Sequence, residues 1–133
     1  MRIVIAALTA LALAGCAGVK TKATLTDKTA PLQASSGKVC LLAGALPDGI
    51  KSIEIARITA VKRSYGGVDN LMLPIANEAR RVGADAVINL QADQRFKSPM
   101  PWRINAPTGD GYAVKLTADS PPLDCAAAGG QLT

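Results

Sequence analysis

The spacing of apolar residues changes several times along the chain. From Ile3 to Ala14 it is continuous: IVIAALTALALA is apolar at eleven of twelve positions and follows Met1-Arg2. A helix of that length covers about 18 Å, well short of the roughly 30 Å hydrocarbon core of a bilayer. A basic start, a short apolar run and small residues after it have the form of an export signal, expected over residues 1–15. The alternative, a buried N-terminal helix, is disfavoured because the run has no polar face. Between Ala17 and Ser36 (AGVKTKATLTDKTAPLQASS) no hydrophobic period is visible, so segment 16–37 is expected to be a flexible tether.

Periodic structure is expected from residue 38 to 118. Val39 to Ala43 is a short apolar run, read as a strand, and Leu46-Pro47-Asp48-Gly49 is a turn. Ile53 to Val61, IEIARITAV, is β-rich, but Ile53 and Ile55 have one parity and Ile58 the other. That slip predicts a bulge near Ala56-Arg57. Leu71, Ile75, Ala79 and Val82 fall on one face of a helix. Asp69 or Asn70 is placed to cap it, Pro74 suits only a first turn, and Gly83 suits the position after the last turn. In Ala86 to Ala92, Ala86, Ile88, Leu90 and Ala92 alternate with polar residues and are expected to share one face of a strand. Lys97 to Pro101 reads as a loop. Trp102-Arg103-Ile104 and Gly111 to Thr117 read as the two arms of a hairpin around Pro107-Thr108-Gly109-Asp110. Residues 119–133 are rich in Pro, Ala and Gly and read as a frayed tail, pinned if Cys125 is bonded. The expected fold is α+β: a small antiparallel or mixed sheet of four to five strands with one main helix on one face.

Composition narrows the chemistry. The chain has no histidine, which removes the commonest general base and the commonest metal ligand. No phosphate-binding loop, nucleophile motif or paired acid–base constellation is visible, so neither an enzyme nor a cofactor or metal site is expected. The net charge is +5, and 3% of residues are aromatic. Three cysteines are present, an odd number. Cys16 follows Leu13-Ala14-Gly15 at the end of the apolar run, and this tetrapeptide resembles the lipobox of bacterial lipoproteins. The resemblance implies a diacylglyceryl group on the Cys16 thiol, cleavage before Cys16, and anchorage to the lipid bilayer; the alternative is ordinary secretion with Cys16 free. Ala17 is not the aspartate that retains many such proteins in the inner membrane, so the implied site is the outer membrane, facing the periplasm. Cys40 and Cys125 then remain as a pair in an oxidising compartment, where a disulfide is expected. The alternative is a buried, reduced Cys40 and a loose Cys125.

The segment from Asn77 to Ile88, NEARRVGADAVI, resembles the helix-to-strand junction of the YbjQ-like family and of the signalling domain of RcsF-type outer-membrane lipoproteins. Gly111-Tyr112-Ala113-Val114 resembles the closing strand of the same domain. RcsF-type proteins have four cysteines besides the lipidated one and a longer, proline-rich tether; this chain has two and a shorter one. The resemblance implies a non-catalytic envelope sensor or interaction module with a protein partner. Its expected surface holds Arg57, Lys62, Arg63, Arg80 and Arg81, the simpler reading being that these are solvated faces. Likewise Lys20, Lys22 and Lys28 either touch anionic head groups or belong to a solvated spacer. A second function class is a structural or accessory lipoprotein whose basic domain binds acidic envelope polymer or lipid. Nucleic acid is not expected as a partner, because export removes the chain from it.

Overall fold

Six strands and one helix make up the protein in a computed structural model that describes residues 18–26, 33–62, 66–96 and 105–133. The strands are β1 (Val19–Leu25), β2 (Cys40–Leu41), β3 (Ser52–Lys62), β4 (Ala86–Phe96), β5 (Asn105–Leu116) and β6 (Gln131–Leu132). The helix α1 is Asp69–Arg81. The strands form one mixed sheet in the order β1-β3-β5-β4-β2-β6. Among the described strands only β2 and β4 run parallel. The architecture is α+β, with two strands beyond the expected core.

Helix α1 forms as its spacing predicts. Leu71, Ile75 and Ala79 are fully buried and Val82 nearly so. They pack on Ala56, Ile58, Ala60, Val87 and Ala113 of the sheet. Small side chains let the helix approach closely. A Cβ on Gly109 would lie 3.3 Å from Leu71 Cδ1 and 3.5 Å from Ile75 Cδ1. The helix ends as predicted: Gly83 has φ +83°, its N–H donates to Arg80 O at 3.1 Å, and Ala84 N–H donates to Ala79 O at 2.9 Å. Its start differs. Val68 is the N-cap and no side chain caps the first turn; Asn70 Nδ2 instead donates to Gly67 O at 3.2 Å. Pro74 lies beyond the first turn, inside the helix.

Three further expectations are corrected. Val19–Leu25, expected within the tether, is an edge strand antiparallel to β3, with Val19 opposite Lys62 and Leu25 opposite Ala56. Val19 and Ala23 pack against the core beneath α1. Two lysines and two threonines hid the strand, because an edge needs only half its side chains buried. Second, Pro107-Thr108-Gly109-Asp110 is not a turn but part of β5, between β3 and β4. Its ladder to β3 ends at Val61↔Thr108, so Pro107 lies past the last pair on that side and is paired only with Gln94 of β4. Residues 97–104, including the expected loop and the Trp102–Ile104 strand, lie outside the described residues. Third, the C-terminal segment is pinned through bonded Cys125, and it is more than a pinned tail. It crosses the face of the sheet opposite α1, where Leu123, Cys125 and Ala128 pack with Cys40, Leu42, Leu46, Ala86 and Val114. It then adds β6 beside β2.

Cys40 and Cys125 are joined by a disulfide, with Cα atoms 5.7 Å apart and a sequence separation of 85. The expected bulge in β3 falls at the register shift between Glu54 and Ala56. A second shift, in β4 between Ile88 and Gln91, was not expected. There Asn89 has φ +50°, and Asn89 and Leu90 donate to Gly44 O and Leu42 O. The bulge reverses parity. Ala86 and Ile88 face the disulfide side, whereas Leu90 and Ala92 join the core under α1, so the four do not share one face.

Candidate functional site

Register builds a polar surface on the sheet face opposite α1, beside the area covered by the C-terminal segment. Residues paired across antiparallel strands share a face. One row runs Thr24, Arg57, Tyr112, Ile88 across β1, β3, β5 and β4. The next runs Lys22, Thr59, Asp110, Gln91, and the third Lys20, Val61, Thr108, Asp93. Arg57, Thr59, Gln91, Asp93, Thr108 and Asp110 line a shallow hollow of about 310 Å³ at the centre of this surface.

The Arg57 guanidinium donates to Asp110 Oδ2 at 2.9 Å. That bond, then the field of Tyr112, hold the guanidinium above its already high ordinary pKa, so it stays charged. Both partners are partly exposed, so the pair orients side chains more than it stabilises the fold. Thr59, Thr108 and Gln91 add neutral donors and acceptors. The hollow thus offers hydrogen bonds of both senses around a fixed ion pair. Among the described residues no group of three His, Cys, Asp or Glu side chains is placed to hold a metal ion.

The basic residues singled out in the sequence are not brought together. Arg57 lies in the hollow. Lys62 ends β3, its stem against Gly66, where a Cβ would fall 2.8 Å from Lys62 Cε. Arg63 and Cys16 lie outside the described residues. Arg80 is used within the fold: Nη1 donates to Thr133 O at 2.7 Å and Nη2 to Asn77 Oδ1 at 2.6 Å. Arg81 pairs with Glu78, its Nε donating to Oε1 at 3.0 Å, and this pairing raises its pKa. The hollow was missed because its residues come from three strands and assemble only through register. Alternation of Arg57 and Thr59 in β3 was the available signal.

The chain matches no family model, no curated protein and no solved structure.

Proposed function

We propose that this is a lipid-anchored envelope protein whose domain is a non-catalytic module for contact with a protein partner, held in the periplasm by acylated Cys16. The observation that carries the reading is the division of the cysteines. Cys40 and Cys125 are used with each other, so the odd thiol is Cys16, at the end of an apolar run in the sequence LAGC. A disulfide suits an oxidising compartment. The open hollow around Arg57 and Asp110 supplies the polar surface for a partner. Acidic envelope polymer is a weaker fit than a protein, since Arg57 and Arg81 already have carboxylate partners.

Palmitate labelling in cells tests the anchor, and Cys16→Ala should abolish it; labelling that survives this change ends the lipoprotein reading. A photo-crosslinking residue at Thr59 tests the module. A discrete protein adduct, reduced by Asp110→Ala, is expected. Adducts with polysaccharide alone would replace it with the polymer-binding reading.

A further inference from the structure

If Cys16 carries lipid, only the three peptide links through Ala17 and Gly18 separate it from Val19, the first residue of β1. Fully extended, they span at most about 11 Å. The expected tether is therefore consumed by the sheet, and the anchor fixes which end of the domain meets the bilayer. Resting on the lipoprotein reading above, we propose that the end of the sheet where β1 begins is a docking surface for an anionic phospholipid bilayer.

Register defines that end. Val19 lies opposite Lys62, the last residue of β3. Thr108, early in β5, lies opposite Asp93, late in β4, and α1 begins beside them. The surface there has both parts of an interfacial contact. Leu73 is 56% exposed, and with Pro74, Val19 and Gly18 it borders an open hollow of about 500 Å³. Lys62 lines the same hollow, and Lys20 projects from β1 one residue further on. Asp69 and Asn70 complete the hollow and Asp93 lies in the row of Lys20, so this end is not uniformly positive and the exposed leucine and the short link to Cys16 carry the orientation. None of the carboxylates in the described ion pairs belongs to Lys20 or Lys62.

The opposite end is built differently. There Lys51 pairs with Asp119 at 3.1 Å and Lys115 lies 4.0 Å from Asp85, while Glu54 accepts a hydrogen bond from Thr26. Its cations are matched by carboxylates, and Glu54 adds a further one. Lys62 beside the exposed Leu73, with Lys20 on the other sheet face of the same end and neither in an ion pair among the described residues, suits a negatively charged head-group layer over an acyl boundary.

The test uses the lipidated full-length protein in vesicles of phosphatidylethanolamine and phosphatidylglycerol. A photo-crosslinking residue replaces either Leu73, at the proposed surface, or Ser120, at the far end. Phospholipid adducts at position 73 should exceed those at 120 at least tenfold. K20E with K62E should lower the adduct at 73 several-fold in these vesicles and leave it unchanged in phosphatidylcholine. The Cys40–Cys125 bridge, checked by non-reducing mass spectrometry, reports that the variants fold. Equal adducts at the two positions, or an excess at 120, would overturn the orientation. Purified protein with no acyl mass that fails to float with vesicles would instead overturn the anchor itself.

Discussion

Single residues set how closely the layers approach, and glycine at two β5 positions is decisive. A Cβ on Gly111 would fall 2.7 Å from Val87 Cγ1 and 3.3 Å from Leu90 Cδ1. Gly111→Ala is therefore expected to destabilise the fold by roughly 1–3 kcal/mol, as overpacking does. Gly44→Ala, whose Cβ meets nothing within 4 Å, should be close to neutral. Urea midpoints of the two variants check this, and equal midpoints would refute it. Asp119 makes a pH-dependent contribution. The Thr117 hydroxyl, then Lys51, hold its carboxyl below the ordinary carboxylate range. A depressed folded pKa stabilises above the unfolded value, and that stabilisation is lost as pH falls through the folded pKa. The exposure of both partners keeps the effect small. Asp119→Asn should flatten the acid limb of the stability curve; parallel acid limbs for variant and parent would show that the contact contributes nothing.

Among the elements, β1 departs furthest from the sequence reading, and a pair of substitutions distinguishes strand from spacer. Ala23 faces Ile58 and packs against the core, while its neighbour Lys22 is exposed. Ala23→Asp leaves a carboxylate against apolar surface and should cost about 1–3 kcal/mol. Lys22→Gln should change stability by less than about 0.5 kcal/mol. Thermal melts decide, and a neutral Ala23→Asp would return the segment to a spacer. The elements that were legible share one property: local periodicity carried their burial. Leu71, Ile75, Ala79 and Val82 mark α1 unaided, and the slip from Ile55 to Ile58 marks the bulge in β3. Where burial is set by a distant partner, sequence is silent. Thr21 and Ala23 show no hydrophobic period with their neighbours until β3 lies beside them. Pro107 to Asp110 carry the composition of a turn because Gly109 must admit Leu71 and Ile75 from α1. The parity change at Asn89 depends on Leu42 and Gly44, more than 40 positions earlier. The candidate hollow is of the same kind: Arg57 was visible as a cation, but its neighbours Gln91 and Asp110 are contributed by other strands.

At the scale of the molecule, two layers cover the sheet unequally. Helix α1 closes one face over most of its width, and the C-terminal segment closes only the β2 side of the other. That second layer is held by the disulfide and by β6. Gly130 packs so tightly there that a Cβ would fall 2.8 Å from both sulfur atoms. In the chain-entropy account, a bridge of this span contributes on the order of 4.5 kcal/mol. Replacing Cys40 and Cys125 together by alanine should lower stability by a comparable amount, measured by denaturant unfolding without reductant. A loss below about 1 kcal/mol would show that packing alone holds the layer.

The direction of β1 has a mechanical consequence. A pull from the N-terminal side enters the fold at Val19 and runs along the strand axis. The opposing hold comes from β3, whose hydrogen bonds to β1 extend from the Val19↔Lys62 pair to Leu25↔Ala56. Because these bonds stand across the strands, such a pull strains the whole ladder at once in shear. Peeling, which breaks bonds one after another, would require the load to enter from the side. The N-terminal edge strand is thus oriented to resist axial tension.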